Sequence, residues 1–103
     1  MLKTDIIKLA ANKFCVDHRD LTGPYRFKFL MRPRFAVAKV LRERGCSLPE
    51  IGRLTNRDHS TVRYQIEQAE YFMSRDPEYA AIVKELIELK VLTAQVEEEE
   101  VEA

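Results

Sequence analysis

An all-α fold is what this 103-residue sequence predicts, and three observations carry that reading. Apolar residues recur at spacings of three and four through each regular segment, Pro and Gly fall at the segment edges where helices start and stop, and no alternating strand pattern is strong. Connections this short make a compact bundle. A hydrophobic fraction of 46% supports one small core, so one domain plus an appendage is the upper bound. The longest apolar runs fall far short of the roughly 18 residues of a membrane span. The opening MLKTDIIKLAANKF lacks a signal peptide's apolar core. The expectation is a soluble protein of the cytoplasm.

Taken in order, Thr4 or Asp5 is placed to cap a first helix through Phe14, with Ile6, Leu9, Ala10 and Phe14 as its buried stripe. Residues 16–31 read as irregular, because Gly23-Pro24 breaks regular structure. The run Tyr25-Arg26-Phe27-Lys28-Phe29 then alternates aromatic and basic. It fits an extended loop better than a short strand with its rings turned inward. Pro33 sits near the first turn of a second helix that reaches about Arg44 and stops at Gly45. Its buried side is Phe35, Val37, Ala38 and Leu41, which leaves Arg34, Lys39, Arg42 and Arg44 for solvent or phosphate.

Ser47 caps a short helix, Glu50 three residues on completes a capping box, and Pro49 stands in the first turn. Leu48, Ile51 and Leu54 form its buried edge. After a tight turn at Thr55-Asn56, Asp58 or Ser60 caps the next helix, whose stripe is Val62, Ile66, Ala69 and Met73. Asp76-Pro77 separates this from a last helix in which Tyr79, Ile82, Leu86, Leu89, Thr93 and Val96 repeat at three and four. That stripe either folds back on the core or pairs two copies as a homodimer through residues 79–96. The terminal VEEEEVEA is too acidic to pack. The organisation expected is residues 1–75 as a DNA-binding domain, 76–96 as an amphipathic helix and 97–103 as a disordered acidic tail.

The net charge of zero conceals a segregation. Residues 1–75 hold 15 Lys+Arg against 8 Asp+Glu, whereas residues 76–103 hold 2 against 9. Residues 26–63 alone carry ten basic and three acidic side chains, a local field that attracts a polyanion. Catalytic readings find little support. Cys15 and Cys46 stand far apart without metal-ligand or redox spacing, and His18, His59 and scattered carboxylates make no acid-base, nucleophile or metal constellation. No catalytic residue, metal or cofactor is expected, and no P-loop for a nucleotide occurs.

A short helix, a tight turn and a longer helix make a helix-turn-helix, whose second helix presents its N-terminal residues to base edges in the major groove of double-stranded DNA. Arg57, Asp58, His59, Ser60 and Thr61 occupy that position. Asp58 is able to accept from a cytosine amine, His59 and Ser60 to bond base edges, and the Thr61 methyl to touch a thymine methyl. Arg63, further along, is within reach of a phosphate or guanine.

The stretch RPRFAVAKVLRERGCSLPEIGRLTNRDHSTV resembles the C-terminal duplex-DNA-binding domain, domain IV, of the bacterial replication initiator DnaA, whose signature joins an ARPR helix start, SLPEIG and GRDHTTV. Two ordered blocks of this kind are specific, and the likeness covers residues 26–66. It implies a Trp-repressor-like helix-turn-helix bundle, to which the sequence itself adds an extra C-terminal helix. It also implies major-groove reading by Arg57 to Thr61, a minor-groove arginine at Arg26, and backbone contacts from Lys28, Arg34, Arg42, Leu48 and Pro49. The chain departs from the pattern in four places. One residue is missing before SLPEIG, Asn56 replaces a double glycine, Ser60 replaces threonine, and Phe35 stands where glutamine is usual.

The function expected is a sequence-specific, nucleoid-associated DNA-binding protein, phage-borne or prophage-borne origin being one setting, that regulates replication or transcription at DnaA-box-like sites. The alternatives are a DNA-recognition and oligomerising subunit such as a phage small terminase, and a protein-interaction module on the same fold.

Overall fold

The computed structural model describes the backbone of residues 3–102 and the side chains of residues 3–89. The elements are α1 (Lys3–Lys13), α2 (His18–Thr22), a 3-10 turn (Lys28–Leu30), α3 (Met31–Glu43), α4 (Leu48–Thr55), α5 (His59–Arg75) and α6 (Pro77–Glu102). Among the described residues there is no strand, no helix long and apolar enough to cross a membrane, and no cluster of His, Cys, Asp or Glu able to hold a metal. The fold is an all-α helix-turn-helix bundle.

The centre of the bundle is α3, which packs against α1, α4, α5 and α6. Pro33 to Ala38 are buried without interruption, followed by Val40 and Leu41, as expected of a helix surrounded on most sides. Ala36 and Ala38 are fully covered, and side chains this small let neighbouring helices approach closely. Gly45 ends the helix at φ +93°: its N–H bonds the Arg42 carbonyl and the Cys46 N–H reaches back to Leu41, a Schellman closure that requires the left-handed residue.

Two local expectations are corrected. Because α1 starts at Lys3, Thr4 and Asp5 lie inside its first turn and do not cap it. Residues 16–31 are also more ordered than the Gly-Pro break suggests. Asp17 caps α2 by accepting from the Arg19 N–H at 2.9 Å, and the Arg19 guanidinium followed by that N–H holds its carboxyl at about 2. Leu21 anchors this short helix in the core.

Tyr79, Val83 and Leu86 are buried on α6, with Ile82 and Ile87 partly buried against the same core. The first half of the C-terminal stripe therefore folds back on its own domain. Its entry is locked by Asp76, which accepts from the N–H groups of Glu78 and Tyr79, and by the Tyr79 hydroxyl, which donates to the Arg32 carbonyl at 2.7 Å. The helical backbone continues to Glu102, past the expected end at residue 96, since Glu is a good helix former and no Pro or Gly interrupts the run. The side chains of Thr93, Val96 and the acidic run lie outside the described residues.

Helices α4 and α5 make the helix-turn-helix. Ser47 caps α4, its Oγ accepting from the Glu50 N–H at 3.2 Å. The Glu50 carboxylate, held below its usual range by the Lys3 ammonium first and also by the Ser47 N–H, closes the capping box and ties α1 to α4. Asn56 takes the left-handed conformation at φ 61° and ψ 46°. The chain then crosses Gly52 so closely that the Arg57 N–H bonds the Gly52 carbonyl at 2.9 Å, and a Cβ at Gly52 would lie 2.5 Å from the Arg57 carbonyl oxygen. Asp58 caps α5, accepting from the Thr61 N–H at 2.7 Å and the Ser60 hydroxyl at 2.9 Å.

Gly52→Ala is expected to destabilise the domain by about 1–3 kcal/mol, because overpacking against backbone outweighs the helix propensity gained; an unchanged thermal midpoint would show that the turn relaxes freely. Asp58→Ala should also lower the midpoint. The Thr61 N–H and then the Ser60 hydroxyl depress the Asp58 pKa, so the cap is fully present above about pH 4, the ordinary Asp value, and is lost as pH falls through the lower folded value. Melts of both proteins across pH should therefore converge at the acid end.

Candidate nucleic-acid interface

The start of α5 faces solvent. His59, Ser60 and Arg63 are exposed, while Thr61 is half-buried. The side of α5 carrying Thr61, Tyr64 and Gln65 lines a cleft of about 610 Å³, and Arg26 and Lys28 line it from the loop opposite. The loop cations and the recognition helix therefore share one concave surface. A second, shallower groove of about 550 Å³ runs between Pro49, Arg53 and Asn56 on the α4 side and Asp58 and His59 at the start of α5.

The loop is held in place by two arginines. Arg34 is 6% exposed, and its guanidinium donates to the carbonyls of Asp20 at 2.8 Å, Gly23 at 3.2 Å and Leu21 at 3.3 Å. Arg34, expected at solvent or phosphate, thus lines the cleft with its side chain almost fully covered and bonded to these loop carbonyls. Arg57 reaches the same strand of carbonyls, donating to Gly23 at 2.7 Å and, within its own turn, to Asn56 at 2.9 Å and Thr55 at 3.2 Å. Burial, followed by the like charge of Arg57, pushes the Arg34 pKa down. Charge-assisted bonds to oriented carbonyl dipoles offset that cost.

The other expected residues divide. Arg26 and Lys28 are exposed on the cleft. Pro49 is exposed and Leu48 half-buried at the start of α4. Arg42 lies at the far end of α3, where its Nη1 donates to the Cys46 carbonyl at 3.0 Å. Of the side chains assigned to solvent or phosphate, Lys39 is engaged by Glu43 at 2.7 Å and Glu70 at 3.0 Å. Arg44 has its Nε and Nη1 buried without a hydrogen-bond partner among the described residues. Asp58 spends its Oδ1 on the cap and on the Ser60 hydroxyl, while His59 and Arg63 face solvent. Phe35, in place of a polar residue, is 4% exposed and packs edge-on to Tyr64 and parallel to Phe72.

Sequence reasoning missed Arg53 and Tyr64. Tyr64 is 53% exposed on the cleft wall, three residues after Thr61, and that helical spacing was the available signal. Arg53 follows the turn glycine on the outer side of α4 and lines the second groove. Major-groove edges, minor-groove width and phosphates are the chemistries such a surface can address.

Comparison with known proteins agrees with this geometry. The family model for the bacterial DnaA protein helix-turn-helix matches residues 4–69, the stretch from α1 through most of α5. The chain is 36% identical over 86 residues to the chromosomal replication initiator protein DnaA of Thermus thermophilus, covering 82% of this chain and 20% of that protein. It is 34% identical over 101 residues to that of Deinococcus radiodurans, covering 97% and 21%, and 33% identical over 87 residues to that of Acinetobacter baylyi, covering 82% and 19%. The chain thus spans about a fifth of the length of these relatives. With its capped helices, its turn glycine and its matched residues in one register, this chain belongs to the bacterial DnaA helix-turn-helix family.

Proposed function

We propose that this chain is a sequence-specific double-stranded DNA-binding protein that occupies DnaA-box-like sites and in that way regulates replication or transcription. The observation that carries the reading is the shared cleft, with Arg26 and Lys28 on one wall and the recognition helix on the other. In this reading α5 enters the major groove through His59, Ser60 and Arg63, and Arg26 enters the neighbouring minor groove. Lys28, Pro49 and the start of α4 lie along the backbone and fix the register. Arg57 acts first by positioning the loop, so its contact with a base requires exchanging carbonyl partners for base partners. Pairing of two copies through residues 79–96 has to compete with the core for Tyr79 and Leu86, both buried within one copy, and the reading does not require it.

His59→Ala should reduce discrimination between a selected site and random duplex by roughly tenfold, in keeping with about 1–3 kcal/mol per base-edge contact, while random-duplex affinity stays near the parent value. Equal losses on both duplexes would remove the reading role. Arg26→Ala should weaken binding most beside a narrow A·T-rich flank; a deficit indifferent to a G·C flank reduces Arg26 to a phosphate contact. Arg34→Ala is expected to cost about 1.5–3 kcal/mol of stability through its lost charge-assisted bonds and to weaken selected and random duplexes together. Thermal melts paired with binding titrations separate this from a direct contact, which would leave the melt unchanged.

A further inference from the structure

We propose that the rings of Tyr25, Phe27 and Phe29 form a stacking site for the unpaired bases of single-stranded DNA, with Arg26 and Lys28 holding the phosphates. The three side chains are 55%, 54% and 62% exposed. They nevertheless make an ordered column: Tyr25 and Phe27 have ring centroids 5.7 Å apart and planes 23° from parallel, and Phe27 and Phe29 stand at 5.5 Å and 12°. Three aligned rings facing water make an apolar patch of the kind that marks an interaction surface.

The backbone explains the arrangement. Phe27 is extended at φ −67° and ψ 138°, which sets its ring and the Arg26 side chain on opposite sides, and the 3-10 turn that begins at Lys28 brings Phe29 beside Phe27. Arg26 and Lys28 line the cleft beside the recognition helix, whereas the three rings are absent from its walls. The column is therefore a second face of the loop. Residues 21–42 contain six Lys or Arg and no Asp or Glu, so a polyanion meets no like charge along this segment.

A single strand fits this face better than the alternatives. In a duplex each base face is covered by its neighbours, and only an unpaired base offers its face to a ring. Aromatic platforms with interleaved cations are the chemistry that binds such strands without sequence preference. A protein partner would have to supply both an apolar surface and acidic groups within the same few ångströms, whereas a strand supplies a base and a phosphate at every nucleotide. The rings lie off the duplex cleft, so the stacking does not rest on the duplex reading, although the two cations are shared with it.

The test titrates the full chain with a 12-nucleotide oligo-dT, an abasic strand of equal length and a hairpin duplex, following fluorescence anisotropy. The Phe27→Ala/Phe29→Ala variant, with helicity checked by circular dichroism, should bind oligo-dT at least about tenfold more weakly and leave abasic and duplex binding unchanged. Phe27→Trp keeps a π face and should retain oligo-dT affinity, with the emission of the chain's sole tryptophan quenched by the strand. The proposal is overturned if the parent chain binds oligo-dT no better than the abasic strand, or if the double variant keeps its oligo-dT affinity. It is equally overturned if duplex binding falls by the same factor, which makes the rings a duplex wedge, or if sedimentation shows that the substitution abolishes self-association while oligo-dT binding persists. A parent chain that binds oligo-dT through the rings but no duplex would remove the function proposed above and leave this site standing.

Discussion

The carbonyl of Gly23 accepts from two guanidinium groups, that of Arg34 in the central helix and that of Arg57 in the helix-turn-helix turn. Much of the binding surface depends on this junction. The loop after α2 has few apolar side chains turned inward, so hydrophobic burial cannot fix where it lies. Two cations in a covered site repel each other and lose hydration. They are tolerated because the segment from Asp20 to Gly23 offers several carbonyls in reach, and their dipoles replace water. The separation of Arg26 and Lys28 from α5 is thus set by backbone geometry and not by packing.

Most of the helical frame was legible from the chain because its punctuation is explicit. Pro33 and Gly45 bracket α3, Ser47 and Glu50 announce α4, and Asp58 announces α5. Three things escaped. Helix α2 is too short for a periodic stripe to show, and its Asp17 cap stands only a few residues before the Gly23-Pro24 break. The sequence places Arg34 at solvent or phosphate and Arg57 at the major groove, and their carbonyl bonds are hidden from it because main-chain acceptors leave no mark in residue types. The third is the role of the C-terminal stripe, since folding back and pairing bury the same residues; only the packing of Tyr79, Val83 and Leu86 distinguishes them.

The site residues themselves were partly legible for a related reason. Polar side chains at a helix start serve both as caps and as base readers, and sequence alone cannot divide the labour. In the folded chain Asp58 accepts from the Thr61 N–H and the Ser60 hydroxyl, while the His59 side chain is exposed. Phe35 shows the same ambiguity resolved toward packing. By stacking on Phe72, which in turn meets Tyr79, it joins α3, α5 and α6 through one aromatic chain and steadies the helix that must hold its angle.

The commitments of the basic residues also bear on how an interaction with a polyanion responds to ionic strength. Of the ten Lys and Arg in residues 26–63, Arg34 and Arg57 are bonded to carbonyls, Arg32 pairs with Asp76 above the Phe72 ring, and Lys39 pairs with two glutamates. Near the end of α3, Arg42 bonds the Cys46 carbonyl and Arg44 has its Nε and Nη1 buried. The exposed remainder is Arg26, Lys28, Arg53 and Arg63. Each phosphate neutralised releases counterions worth about 0.9 in the slope of log affinity against log salt. Four outward cations set an upper bound of about 3.6 on that slope, less than half of what ten would give. Affinity of this surface for a polyanion therefore falls less steeply with rising salt than the count of basic residues suggests.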